Sequence, residues 1–153
     1  MTAEALSDLI VEIFRVNGRL LAAGDRLVAD LGLTSARWQV IGAIAIAGQP
    51  QTVPAIARTM GLTRQAVQRL INELMADGLV EARPNPNHRR ARLFSLTGAG
   101  AAAFERATRR QAPWAEALAA GCPLAEIRAA QAVLRALRTR LEAQQSDQEV
   151  QDA

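Results

Sequence analysis

Apolar residues recur at steps of three and four along most of the 153-residue chain, which is the spacing of one face of an α-helix. Glycine and proline interrupt this pattern at several points, and these breaks divide the chain into segments. The segments predict helices over residues 4–31, 34–47, 52–60, 63–77, 97–119 and from 124 on. The chain is therefore expected to be mainly α-helical.

One stretch departs from the helical pattern. Residues 84–88, Pro-Asn-Pro-Asn-His, contain two prolines and two asparagines, a composition typical of turns. Residues 79–83 and 90–96 flank this turn and have the character of short strands. The sequence thus predicts four helices, a β-hairpin and two further helices.

The charge of the chain is unevenly distributed. All eighteen basic residues are arginine, and the formal net charge is +3. Residues 50–97 contain seven arginines against three acidic residues, a difference of +4, whereas the rest of the chain contains eleven against twelve, a difference of −1. The positive charge is therefore concentrated in the middle third of the chain.

The predicted helix 63–77 has two unlike faces. Val67, Leu70 and Leu74 fall within one narrow arc, which predicts a buried side. The opposite side carries arginine, glutamine and asparagine without an acidic residue. Arginine can donate two hydrogen bonds to guanine, and glutamine or asparagine can pair with adenine. We expect a DNA contact here, in preference to an ordinary solvated face, from Thr63, Arg64, Gln65, Gln68, Arg69 and Asn72.

The predicted hairpin adds a second basic surface, because four arginines surround its turn: Arg83, Arg89, Arg90 and Arg92. A basic loop of this kind can contact phosphates or place an arginine in the minor groove. A charged edge strand that discourages aggregation is the alternative. The position of the hairpin, directly after helix 63–77, favours DNA contact.

Residues 34–100 resemble the winged-helix core of the MarR (multiple antibiotic resistance regulator) family. The stretches that carry the resemblance are Val53–Ala57 (VPAIA), Leu62–Val67 (LTRQAV), Leu74–Val80 (LMADGLV) and Arg83–Gly100 (RPNPNHRRARLFSLTGAG). With the flanking helices, the resemblance extends over about residues 4–145. One departure is His88, which stands where the family usually has an aspartate that pairs with a wing arginine.

The resemblance implies a homodimer with a winged helix-turn-helix lobe at residues 34–97. Its helical dimerisation region would consist of residues 1–33 and 98–146. The apolar stripes of these terminal helices also exceed what a small core could cover, which favours an interface over an intramolecular bundle. Two-fold symmetry predicts a pseudo-palindromic DNA site. Residues 147–153 are polar and are expected to fray.

The resemblance further implies a repressor that a small aromatic or phenolic anion releases from DNA. Candidate ligand-binding residues are Phe14, Arg15, Trp38 and Ile41. Arg15 could neutralise a carboxylate, and Trp38 could stack on a ring. The alternative is that Phe14 and Trp38 belong to the core.

Other classes of protein find less support in the sequence. One histidine and one cysteine leave no nucleophile–base pair or metal cluster, so we expect neither an enzyme, a metal site nor a cofactor. A winged helix used only for protein contacts, and a nonspecific or ligand-independent architectural DNA-binding protein, remain as alternatives. Without a long apolar segment or a signal-peptide pattern, the chain is expected to be soluble and cytoplasmic.

Overall fold

The computed structural model describes the backbone of residues 1–151 and the side chains of residues 1–145. The chain divides into two compact units, residues 1–113 and the residues from 114 on. The helices are α1 (Thr2–Val28), α2 (Ser35–Ala47), α3 (Val53–Met60), α4 (Arg64–Ala76), α5 (Gly98–Ala119) and α6 (Leu124–Gln151). A 3-10 helix (Ala29–Leu31) follows α1, and strands β1 (Val80–Arg83) and β2 (Leu93–Leu96) lie between α4 and α5. The predicted fold class, mainly helical with a small β-hairpin, is confirmed.

Threonine side chains fix the starts of three successive helices. Thr34 Oγ1 accepts a hydrogen bond from the Arg37 amide at 3.2 Å, and Thr52 Oγ1 accepts one from the Ala55 amide at 3.3 Å. Thr63 Oγ1 caps α4 in the same way, at 3.1 Å from the Ala66 nitrogen. Each cap satisfies an amide that the first helical turn leaves without a partner.

The strands are shorter than the sequence predicts. Strand β1 begins at Val80 because the Leu79 amide donates to the Leu74 carbonyl of α4, although the Leu79 carbonyl still accepts from the Thr97 amide opposite it. Strand β2 begins at Leu93, since residues before it belong to the turn, in which the Ala91 amide donates to the His88 carbonyl at 3.1 Å.

The two strands pair in antiparallel register, and a third segment joins them. Val80 lies opposite Leu96, and Arg83 lies opposite Leu93. Gln51, just before α3, exchanges two backbone hydrogen bonds with Phe94, at 2.9 and 2.8 Å. The base of the hairpin is therefore attached on its outer edge to the segment that enters α3.

The core of the first unit lies under α4 and the hairpin. On α4, the side predicted to be apolar is buried, with Val67 and Leu74 fully inaccessible. Burying each such side chain contributes about 1.5–3 kcal/mol relative to leaving it in water. The largest fully buried side chains are Ile41, Ile56, Ile71, Leu74, Val28, Val40 and Val67.

A close approach at the start of α5 ties this helix to the end of α4. A Cβ atom on Gly100 would collide with the Leu79 carbonyl oxygen. Thr97 Oγ1 donates to the Gly78 carbonyl at 2.7 Å and accepts from the Gly100 amide at 3.1 Å. These contacts set where the hairpin ends and the long helix begins.

The terminal helices expose apolar side chains over their described lengths. On α1 these include Ile10, Val11, Phe14, Val16 and Leu20, and on α6 Leu124, Ile127, Val133, Leu134 and Leu141. No single helix within the described part of the chain is long and apolar enough to cross a membrane. One bent pair, residues 98–119 with 124–145, passes that test together by length and composition only.

The predicted domain limits remain predictions. The backbone of α6 runs to Gln151, beyond the point at which the tail is expected to fray. The predicted tail, residues 147–153, lies outside the residues whose side chains are described.

Candidate nucleic-acid interface

Helices α3 and α4 form a helix-turn-helix. The turn between them begins at Gly61, whose φ of 64° lies in the left-handed region that glycine adopts without strain. The Leu62 amide then donates to the Ala57 carbonyl at 2.9 Å, and Thr63 caps α4. This arrangement presents one side of α4 to solvent while α3 packs behind it.

The outer face of α4, defined here as Arg64, Gln65, Gln68, Arg69 and Asn72, is exposed over its whole length. The apolar residues of the same helix, Val67, Leu70, Ile71 and Leu74, are buried. The division that the sequence predicts is therefore present in the fold. Guanidinium and amide groups on this face are free to reach base edges in a major groove.

Three side chains of this face bond within the helix, Gln68 to Asn72 and Arg69 to Glu73 at the edge of the face. Arg69 Nη1 lies 2.6 Å from Glu73 Oε1, and Gln68 Nε2 donates to Asn72 Oδ1 at 3.0 Å. Arg69 and Glu73 are 65% and 43% exposed, and such exposed pairs one turn apart contribute only about 0.3–0.5 kcal/mol. The pairs orient these side chains, and because each pair is weak, a contact with DNA can replace it.

The wing turn, residues 84–92, is held by short local hydrogen bonds. Asn85 Oδ1 accepts from the Asn87 amide at 3.1 Å, and the His88 amide donates to the Asn85 carbonyl at 3.3 Å. Arg89, Arg90 and Arg92 are exposed, and they form no ion pair with any residue of the described structure. Their charges are available to phosphates.

Arg83 is held differently from the three arginines of the turn. It lies in β1, and its Nη2 and Nε bond to Glu81 Oε1 at 2.7 and 3.2 Å. The hydrogen bond from Arg83 lowers the pKa of Glu81 below its ordinary value, so this carboxylate is ionised at neutral pH. The carboxylate, which also accepts from Ser95 Oγ at 3.3 Å, offsets the charge of Arg83.

A cleft of about 360 Å³ joins the helix face to the wing. Gln68 and Asn72 line it from α4, and Arg90 and Arg92 line it from the wing turn. Its lining also includes residues that the sequence did not single out: Thr52, Val53, Pro54, Met75 and Phe94. Met75 lies on α4 outside the predicted polar face, and the others come from the start of α3 and from β2, so the polar face of α4 gave no signal for them.

The four residues proposed for a ligand differ in their surroundings. Ile41 is fully buried in the core of the first unit and presents no surface there. Trp38 is half-buried against that core. On α1, Phe14 is 72% exposed, and Arg15 pairs with Glu12 at 3.4 Å.

The comparisons with known proteins bear on the whole arrangement. A family model described as MarR family matches residues 31–91, from the 3-10 helix to the wing turn. An uncharacterized protein of Mycobacterium tuberculosis is 37% identical over 108 residues, which cover 71% of this chain and 74% of that protein. The multiple antibiotic resistance protein MarR of Salmonella typhimurium is 31% identical over 115 residues, covering 70% of this chain and 78% of that protein. The chain belongs to the MarR family.

The resemblance inferred from the residues is thereby confirmed, and the protein is a transcription regulator of a DNA-binding family. A further relative, the transcriptional activatory protein BadR of Rhodopseudomonas palustris, is 30% identical over 104 residues. That match covers 67% of this chain and 59% of BadR. The family is one of regulators rather than enzymes.

Two solved structures share the fold of this chain. CouR of Rhodococcus jostii, bound to p-coumaroyl-CoA, matches with a TM-score of 0.77 at 24% identity, covering 86% of this chain and 92% of CouR. The Mycobacterium tuberculosis regulator MosR in complex with DNA matches with a TM-score of 0.72 at 22% identity, covering 88% of this chain and 96% of MosR. At these identities the likeness shows the winged-helix fold alone.

Proposed function

We propose that this MarR-family protein is a homodimeric repressor that binds a pseudo-palindromic operator and is released by a small aromatic or phenolic ligand. The single observation that carries the DNA-binding part is the outer face of α4, exposed while the opposite side of the helix is buried. An exposed helix with guanidinium and amide groups, preceded by a positioning helix, fits a major groove.

The two basic surfaces have separate roles in this proposal. Arg64, Gln65, Gln68, Arg69 and Asn72 read base edges, while Thr63 starts the helix at the groove. Arg89, Arg90 and Arg92 contact phosphates or the minor groove, and Arg83 supports them from β1. The cleft shared by α4 and the wing supports a joint surface, since residues of both line it.

The terminal helices support the homodimer in this proposal. Apolar side chains on α1 and α6 remain exposed in the described subunit, and a surface of this kind is typical of an interface. Two-fold symmetry would set two copies of α4 about one DNA turn apart, on the order of 10 base pairs. A protein that binds an operator must be in the same compartment as the genome, so the proposed location is the cytoplasm.

The ligand site of the proposal lies near α1 and α2. The CouR structure contains p-coumaroyl-CoA, a phenolic compound, which makes phenolic acids and their thioesters the first candidates. Phe14 and Arg15 offer an exposed ring and a guanidinium, and Trp38 offers a half-buried ring. Ile41 would act only by shaping the core beneath Trp38.

The test is a footprint of the purified full-length protein on DNA flanking its own gene. We expect one protected site with two-fold symmetry, and an affinity that falls steeply with salt because several phosphates are neutralised. Uniform protection of unrelated DNA would favour the nonspecific architectural alternative. Absence of binding at low salt would favour a protein-contact module.

A second arm of the same experiment tests the ligand. Phenolic acids and their coenzyme A thioesters are added to the protein–operator complex, and release is measured by fluorescence anisotropy. We expect release by at least one of them and a matching rise in melting temperature of the free protein. If none of these compounds releases the protein from DNA, the protein is ligand-independent or responds to a different chemical class.

A further inference from the structure

Two arginines hold the segment that connects α1 to α2, and one of them also holds the end of α4. Arg110 of α5 bonds to both carboxylate oxygens of Asp30, with Nη2 at 2.6 Å from Oδ2, and reaches the Leu27 carbonyl at 3.4 Å. Arg37 of α2 donates from Nη1 to the Gly32 carbonyl at 3.0 Å. Its Nη2 bonds to Asp77, the residue that follows α4.

These contacts form a continuous chain within residues 1–113. It runs from Arg110 on α5 to Asp30 in the 3-10 helix, then two residues on to Gly32, across Arg37, and ends at Asp77. We call this set the junction relay. The Gly32 amide closes the 3-10 helix by donating to the Ala29 carbonyl at 3.1 Å, and this bond connects Gly32 to the turn that contains Asp30.

The side chain of Arg37 is the central member of the relay. It is only 14% exposed, whereas Asp77 is 54% exposed. Among the described residues, Arg37 Nε is a buried donor without a hydrogen-bond partner. A buried guanidinium with an unpaired Nε donor stabilises a fold poorly. Its planar group nevertheless fixes the position of its two acceptors, Gly32 and Asp77, relative to each other.

Electrostatics hold the other end of the relay. The hydrogen bond from Arg110 lowers the pKa of Asp30, and the same contact raises the pKa of Arg110. The pair is therefore ionised across the neutral range. A bidentate arginine–carboxylate contact also restricts orientation more than a single bond does.

We propose that Arg37, Asp77 and Arg110 are positioning residues that fix the recognition helix α4 relative to the dimerisation helices, and so set which half-site spacing the dimer accepts. The inference rests on the proposed function, because it assumes two copies of α4 bound to one operator. The relay links α5 and the end of α1 with α4 through discrete bonds, which is the kind of contact that carries coupling. None of its members lies on the outer face of α4 or in the wing turn.

The experiment measures spacing discrimination by the full-length dimer. An operator is first selected from random DNA with the wild-type protein, and a second version carries one extra base pair at its centre. That insertion separates the half-sites by about 3.4 Å and rotates them by about 35°. Discrimination is the dissociation constant for the operator with the extra base pair divided by that for the selected operator. Both are measured at one salt concentration.

We expect Arg37→Gln, Asp77→Asn and Arg110→Gln each to reduce this ratio by about two- to thirty-fold. Asp77→Asn keeps the Arg37–Gly32 bond and a polar side chain, so it serves if Arg37→Gln does not fold. Arg37→Lys, which keeps the charge facing Asp77, should restore part of the ratio. The matched control is Arg109→Gln, which removes an exposed pair with Glu105 at 3.8 Å within α5.

The outcomes separate the relay from the proposed function. The control Arg109→Gln should keep the wild-type ratio. If the relay variants also keep this ratio and only melt at a lower temperature, their role is structural and the positioning role is wrong. A wild-type protein that selects no two-fold symmetric site would overturn the proposed function and the relay together.

Discussion

The outer face of α4 and the wing turn are both basic, but they hold their charges differently. On α4, Arg69 lies 2.6 Å from Glu73, and Gln68 bonds to Asn72, so the polar groups have directions before any partner arrives. In the wing turn, Arg89, Arg90 and Arg92 form no ion pair within the described structure, and residues 84–92 contain no acidic side chain. The comparison suggests a helix suited to discriminating bases and a turn suited to attracting phosphates.

The largest expected effect concerns the support beneath the helix face. Leu74→Ala removes a fully buried side chain of α4 and should lower the free energy of unfolding by about 2–5 kcal/mol, since a cavity remains. Urea denaturation measures it. Arg64→Ala, on the exposed side of the same helix, is the control and should change stability by less than about 0.5 kcal/mol.

The next effect tests readout by the α4 face. Arg69→Ala should weaken binding at the preferred operator by about 1–3 kcal/mol and relax the sequence preference at the contacted base. Binding to a panel of single-base operator variants measures both. Equal weakening on every DNA, including unrelated sequence, would contradict a reading role. Glu73→Gln is a useful control, because it removes the partner of Arg69 and keeps the guanidinium.

A smaller and more even effect is expected in the wing. Arg90→Ala should weaken binding to specific and unrelated DNA alike and reduce the slope of log affinity against log salt by about 1. Titrations at several salt concentrations measure the slope. If Arg90→Ala changes the sequence preference as strongly as Arg69→Ala does, the proposed division of roles between α4 and the wing turn is wrong.

The smallest effect concerns Arg83, which bonds to Glu81. Glu81→Gln should release the charge of Arg83 and strengthen binding to all DNA by a few-fold.

The same pair predicts a dependence of stability on pH. The pKa of Glu81 is lowered in the fold, so its pair with Arg83 contributes fully to stability above a pH of 4.5, the ordinary pKa of glutamate. That contribution is lost as pH falls through the lowered pKa. Wild-type melting should therefore decline slightly more than that of Glu81→Gln between about pH 5 and pH 3, and parallel curves would contradict the pairing.

Local features of this fold could be predicted from the sequence. Thr34, Thr52 and Thr63 each precede a helix, and capping depends on residues within one turn, so the helix starts follow from short stretches of chain. The α4 face was predictable for the same reason, because a period of 3.6 residues alone separates its buried and exposed sides. The Arg69–Glu73 pair also lies at a readable spacing of four residues.

Contacts between distant segments could not be predicted in this way. Arg37 and Asp77 are 40 positions apart, and Asp30 and Arg110 are 80 apart, so no local pattern connects them. The predicted start of β1 was wrong because the Leu79 amide donates to the Leu74 carbonyl at the end of α4 instead of to the opposite strand. In the proposed dimer, the face of α1 that would contact a partner or a ligand depends on a second chain, and the sequence of one subunit contains only the apolar stripe.

The bridge between Gln51 and Phe94 has a consequence for how the DNA-binding lobe can adapt. Because two backbone hydrogen bonds join the entry of α3 to β2, we expect any tilt of the strands to move the helix-turn-helix with it. In the proposed complex, helix and sheet would then respond together to bent or narrowed DNA. Residues 84–92, which local hydrogen bonds hold, would adapt more readily to the width of a groove.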